Sequence, residues 1–169
     1  YSLNENYRNG IKILDYAKMI IRQNGYDYLD NSIPMRKIDG RVVTVEYSPT
    51  AIARTIKKMG GYKNWFILSR WNKDIEQIAN ACEATNVPYS IIRKKDFSSN
   101  EELRKKMEED TVKIMTIHAS KGLEADNVVV IGATFNKKGT NEEKEENLCV
   151  NYVAATRAKD LLVWTYKHQ

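Results

Sequence analysis

Short runs of β-branched and aromatic residues alternate along this chain with segments whose apolar residues fall at helical spacing. This alternation constrains the fold more than any other feature. The runs occupy positions 41–47, 65–68, 89–92, 112–117, 127–131 and 161–164. They have the length and composition of strands. Between them recur the apolar stripes of amphipathic helices: Ile11, Leu14, Lys18 or Ala17, and Ile21; Ile52, Ile56 and Met59; Ile75, Ile78, Ala79 and Cys82; Val150, Val153 and Ala154. Strands that alternate with helices predict βαβ units, and therefore an α/β fold with a mostly parallel sheet of five or six strands covered on both faces.

Punctuation supports the same segments. Gly25 is a stop for the first helix, Asp39-Gly40 a turn, and Ser48-Pro49 an N-cap followed by a proline at the first helical position. Gly60-Gly61 ends the next helix, Asn72 caps another, and Asn86 with Pro88 closes it. A polar helix is expected over about 99–109, and the charged stretch 136–146 reads as a mobile loop running into the last helix. In parallel sheets of this kind, chemistry gathers at the carboxyl ends of the strands. That directs attention to 69–72 and 116–124, with the first turn and last helix flanking them.

At 169 residues the chain is expected to form one domain over 1–169. It begins Tyr1-Ser2-Leu3-Asn4 without a methionine and runs straight into patterned sequence, which suggests a piece of a longer protein. The 42% hydrophobic and 29% charged content suits an ordinary globular chain with a cytoplasmic location, and no apolar run approaches the ~18 residues of a membrane span. Cys82 and Cys149 both sit in apolar helical patterns and read as two buried thiols rather than a disulfide. No CxxC occurs and His118 is far from His168, so no metal site is expected. The net charge of +5 favours an anionic partner without identifying it.

Several absences narrow the chemistry. There is no GxxxxGK[ST] phosphate loop, no GxGxxG, and no assembly of nucleophile, histidine and acid. The chain alone does not look like a complete enzyme. The strongest positive signal is Thr116-Ile117-His118-Ala119-Ser120-Lys121-Gly122-Leu123-Glu124, where an apolar strand ends in a dense polar cluster. Such a cluster either faces a cleft or is a solvated loop turning at Gly122. Two further stretches stand out: Asn151-Tyr152-Val153-Ala154-Ala155-Thr156-Arg157-Ala158-Lys159, and Leu3-Asn4-Glu5-Asn6-Tyr7-Arg8-Asn9.

Taken in chain order from Leu3, these three stretches resemble motifs IV, V and VI of UvrD/Rep-type superfamily 1 DNA helicases. The first resembles L-x-x-N-Y-R-[SN], the second T-h-H-x-[SA]-K-G-L-E, and the third Y-V-A-x-T-R-A. A fourth, looser likeness is Ser69-Arg70-Trp71-Asn72 to the family's strand ending in R-[ST]-N. The resemblance runs from about Leu3 to the last strand and implies the second RecA-like (P-loop NTPase-like) motor domain, a three-layer fold.

The resemblance also implies residue roles. Arg8 and Arg157 would meet the γ-phosphate of ATP, Tyr7 would stack on adenine, and Glu124 would reach the ribose. Lys121 and Gly122 would shape the intervening loop, Gly122 on the nucleotide side. Thr116, His118, Arg70 and Asn72 would face single-stranded DNA. A guanidinium suits a phosphate because it stays charged and presents a planar fork of donors. The phosphate loop and Mg²⁺ would lie on an N-terminal RecA-like domain of the same protein.

Plainer readings stay open for three of these residues. Arg157 could cap its helix or pair with an acid. Trp71, where the family has a small hydroxyl residue, is either a stacking face or packing at the sheet edge, and Asn72 either a DNA contact or a helix cap.

Two departures from the family are visible. The stretch 146–151 lacks the usual paired acids and arginines, and only 93–111 fills the gap where the family inserts subdomain 2B. A rival reading is a nucleic-acid-binding module that keeps the fold without motor activity.

Overall fold

A computed structural model describes residues 5–6, 8–22, 33–34, 38–132 and 140–167. Strand β1 (Glu5–Asn6) pairs in parallel with β2 (Ile33–Pro34), and helix α1 (Ile11–Arg22) lies between them in sequence. The remaining strands are β3 (Arg41–Glu46), β4 (Trp65–Ser69), β5 (Tyr89–Ile91), β6 (Val112–Thr116), β7 (Ala125–Ile131) and β8 (Ala158–Tyr166). They form a six-stranded sheet in the order β3-β8-β7-β4-β6-β5, every pair parallel. The expectation of an α/β fold with a mostly parallel sheet holds, at the upper strand count.

The helices divide between the two faces. Helices α1 and α5 (Asn141–Ala155) cover one face, where Ile13, Ala17, Leu148 and Ala154 pack with Phe66, Leu68, Met115, Val128 and Val130. Helices α2 (Pro49–Met59) and α3 (Asn72–Ala84) cover the other, where Ile52, Ile56, Ile75 and Ile78 meet Trp65, Ile67, Ile114, Val129 and Ile131. The alternation along β4 follows from the two-residue period of a strand, and it is why that strand is buried at all five positions. Strand β3 lies at the sheet edge and is accordingly the most exposed.

Local chemistry explains most helix ends. Ser48 accepts from the Ala51 N–H with Pro49 behind it, Ser99 accepts from Glu102 at the start of α4 (Asn100–Glu108), and Gly60 ends α2. Met59, expected in the apolar stripe of α2, is exposed. Asn72 does not cap α3. Trp71 holds the cap position without a side-chain bond, since an indole has no acceptor to offer; Ser69 Oγ accepts from the Trp71 N–H at 3.1 Å while donating to the N3 carboxylate of Asp74 at 2.8 Å.

Much of the charged stretch expected as a loop is helix. Helix α5 starts at Asn141, fixed by a reciprocal capping box between Thr140 and Glu143. Cys149 is exposed rather than buried, since its neighbours Leu148 and Val150 take the inward positions; Cys82 is buried and both thiols are free. Lys159, expected on the face of the last helix with Tyr152 and Thr156, lies in β8 instead, because α5 stops at Ala155 and Thr156 is its C-cap. The predicted stop at Gly25 lies outside the described residues.

Candidate functional site

The register of the sheet separates the predicted residues into two groups. Thr116 ends β6 beside Ser69 at the end of β4, both at the carboxyl edge of the sheet. Glu124 and Arg157 immediately precede Ala125 and Ala158, which pair with each other at the amino ends of β7 and β8. Residues 117–124 therefore cross the sheet from its carboxyl edge to its amino edge, packing Ile117, Ala119 and Leu123 against the α1/α5 face. Arg70, Asn72, Thr116 and His118 thus follow or end strands at the carboxyl edge, where the sequence directed attention, whereas Glu124 and Arg157 lie at the opposite, amino edge.

At the amino edge, Glu124 sits between two cations. Its Oε2 accepts from Arg8 Nε at 2.6 Å and its Oε1 lies 3.2 Å from Lys159 Nζ. Partial burial works against its ionisation, but the hydrogen bonds from Lys159 and Arg8 outweigh it and hold the carboxyl below its ordinary pKa. Arg157 is half-buried beside this group. It donates from Nε to Val153 O at 3.1 Å, from Nη1 to Leu123 O at 3.4 Å and from Nη2 to Thr156 Oγ1 at 3.3 Å. The plainer expectation, that Arg157 caps its helix, is thus met through Val153 O. Three of its five N–H donors are so engaged, leaving two. Burial, and then repulsion by Arg8, depress its pKa.

Arg8 is placed by a residue to which the sequence assigned no role. Asn9 is fully buried and donates to the carbonyls of Thr156 at 2.9 Å and Ala158 at 2.6 Å, while its Oδ1 accepts from Asn6 Nδ2 at 3.0 Å. The Gly10 N–H donates to Lys159 O at 2.9 Å. A Cβ on Gly10 would stand 2.6 Å from Gly40 Cα, so the turn at Asp39-Gly40 admits only glycine there. Tyr7 lies outside the described residues.

The 116–124 loop is organised by its own polar groups. Thr116 Oγ1 accepts from Ala119 N at 3.3 Å, and buried Ser120 donates to Ile117 O at 2.6 Å. Gly122 has a φ of +79°, a backbone conformation unfavourable to side-chain-bearing residues, and is exposed. His118 is exposed. Part of the polar cluster therefore shapes the loop, and the remainder is available to a ligand. Thr116 and Asn72 line a cleft of about 420 Å³ with Arg93, Lys94, Lys95 and Ala119, while Glu124 and Gly122 line a second of about 540 Å³ with Lys121 and Arg104. Lys94 borders both and donates to Lys121 O at 3.1 Å. Arg70 pairs with Glu146 at 3.4 Å, with its guanidinium over the Trp71 ring at 5.2 Å.

Asn9, Lys94 and Lys159 are the residues that sequence reasoning missed. The apolar continuation after Lys159 was the available signal that it belongs to a strand.

Comparison with known proteins gives the family and the fold. The model of the UvrD-like helicase C-terminal domain matches residues 1–108 and 98–169. An ATP-dependent DNA helicase Rep from Buchnera aphidicola subsp. Schizaphis graminum is 31% identical over 166 residues, covering 92% of this chain and 25% of that protein. Its counterpart from Buchnera aphidicola subsp. Acyrthosiphon pisum is 44% identical over 66 residues, covering 36% of this chain and 10% of the other. The chain thus spans a quarter or less of the length of these relatives. The crystal structure of the C-terminal domain of a possible DNA helicase from Lactobacillus plantarum WCFS1 superposes with a TM-score of 0.59 at 17% identity, over 95% of this chain and 86% of that one, which shows the shared fold.

Proposed function

Because this chain belongs to the UvrD-like helicase C-terminal domain family, we propose that it is the second motor domain of an ATP-dependent DNA helicase or translocase. In this reading it completes an ATP site whose phosphate loop and Mg²⁺ lie on an N-terminal RecA-like domain of the same protein, acting in the cytoplasm. The observation that carries the reading is the meeting of Arg8, Glu124 and Arg157, from three distant parts of the sequence, at one edge of the sheet.

The residues divide the work by chemistry. Arg157, held by backbone carbonyls, keeps two N–H donors for phosphate oxygens. Arg8 is partly exposed and tied to Glu124, so it would turn from that carboxylate toward the γ-phosphate as the two domains close on ATP. Charge developing on the transferred phosphoryl group would then be stabilised by both guanidinium groups; arginines in this role contribute roughly 10³–10⁵ in rate. Glu124, ionised and an acceptor only, suits a ribose hydroxyl. Single-stranded DNA would run along the carboxyl edge past Arg70, Asn72, Thr116 and His118. The loop 117–124 would link the two sites mechanically.

The test is steady-state ATPase in the parent protein with single-stranded DNA, beside the same assay on the isolated chain. The parent should turn over ATP and lose most of that activity in Arg8→Ala, while the isolated chain hydrolyses none. A parent protein that binds DNA without nucleotide-dependent turnover would favour a binding module that keeps only the fold.

A further inference from the structure

Trp71 is an exposed large hydrophobic residue on a polar surface. It remains 54% exposed, and its chain neighbours Arg70, Asn72 and Lys73 are charged or polar. An exposed indole face offers apolar area and a π surface that gain free energy when a flat ligand covers them. Its backbone is anchored by a chain of hydrogen bonds. The Trp71 N–H is held by Ser69 Oγ, that hydroxyl by buried Asp74, and Asp74 by Lys167 Nζ at 2.6 Å. One side of the ring is taken by the Arg70 guanidinium at 5.2 Å, which Glu146 holds in turn.

The surroundings indicate what would cover it. The cleft that begins at the next residue, Asn72, holds one acid, Glu76, but is net basic through Lys94 and the two cations Arg93 and Lys95. Both cations are exposed and neither pairs with a carboxylate among the described residues. A flat aromatic surface on an ordered loop, followed by unpaired positive charge, matches the two needs of a single-stranded nucleic acid: a platform for a base and a track for its phosphates.

We propose that Trp71 stacks an unpaired base of single-stranded DNA, and that Arg93 and Lys95 hold the phosphates that follow as the strand enters the cleft past Asn72. This rests on the reading of the carboxyl edge as a DNA track. It adds a base-contacting residue where the sequence departs from the family pattern.

The experiment measures binding of the purified chain to a labelled oligothymidine of about a dozen nucleotides, and to an abasic oligomer of equal length that keeps the phosphates but has no bases. Trp71→Ala should weaken oligothymidine binding roughly tenfold, the scale of one base–aromatic stack, and leave abasic binding unchanged. Trp71→Phe should recover most of the loss. Arg93→Ala with Lys95→Ala should weaken both oligomers alike and flatten the salt dependence. A thermal melt accompanies each variant. Unchanged oligothymidine binding by Trp71→Ala would overturn the stacking role and leave the indole to a neighbouring protein domain, and a large fall in its melting temperature would make Trp71 a packing residue. If the unsubstituted chain binds neither oligomer, the DNA track itself falls, an outcome separate from failure of the Trp71 variant alone.

Discussion

Asn9 donates its side-chain amide to the carbonyl oxygen of Ala158 at 2.6 Å, across 149 positions of sequence. The same amide holds Thr156 O. Through this one buried side chain, the segment carrying Arg8 is fastened to the turn carrying Arg157.

Asn9→Ala should therefore be more damaging than its size suggests. Two buried carbonyls would lose their donor, at about 1–3 kcal/mol for an unsatisfied buried group. Urea denaturation should show that loss. In the parent protein, turnover should fall beyond what the lower stability explains, because Arg8 loses its register with Arg157. Full ATPase activity at a temperature where the variant stays folded would show that Asn9 is only structural.

Arg157→Lys keeps the charge and loses the planar fork. In the parent protein with saturating single-stranded DNA, ATP turnover should drop by about 10²–10³-fold, while ATP binding weakens much less. The contacts to Val153 O, Leu123 O and Thr156 Oγ1 add a stability cost of about 1 kcal/mol, visible in a melt but too small to unfold the domain. Near-normal turnover would remove Arg157 from the phosphate site.

Glu124 gives a pH signature. Its folded pKa lies below the ordinary value, so the stability it brings is fully present above the unfolded carboxyl pKa and is lost as pH falls through the folded one. Glu124→Gln should lower the denaturation midpoint at neutral pH. The gap from the unsubstituted chain should close as pH drops below about 4.3. A gap that stays constant through the acid range would mean that the clamp of Arg8 and Lys159 adds nothing to folding.

The thiols should separate cleanly. Cys149 is exposed and should react with a thiol reagent in the native chain, whereas Cys82 should react only on unfolding. Burial raises the Cys82 pKa to about 11, so its contribution to stability is present below the ordinary thiol value near 9 and is lost as pH rises through about 11. Two fast-reacting thiols in the folded protein would contradict the packing of α3.

The strands were legible because their runs of Val and Ile are short, dense and bounded by turns. Motif residues were legible as a set because Arg8, Glu124 and Arg157 lie in stretches whose order along the chain is distinctive. Other features were hidden for physical reasons. The partners of Asn9 are backbone carbonyls, which leave no trace in sequence. Lys159 follows a helix in phase with it, so periodicity carried it one turn too far, past the C-cap at Thr156. The start of α5 is charged and lacks an apolar stripe, and only the Thr140–Glu143 capping pattern could have announced it. The location of Glu124 and Arg157 at the amino edge follows from how 117–124 crosses the sheet, a matter of topology rather than residue type.

The opening of α1 has a consequence for how an anion can be held beside it. A helix amino terminus ordinarily offers free N–H groups and the positive end of its dipole to a phosphate. Here the N–H groups of Gly10, Ile11 and Lys12 already donate to Lys159 O, Ile38 O and Asp39 O. These three N–H groups are therefore taken up by the protein itself. A phosphate held next to α1 would have to rely on side chains such as Arg8 and Arg157 rather than on these three N–H groups, so the loss of either guanidinium would not be made good by them.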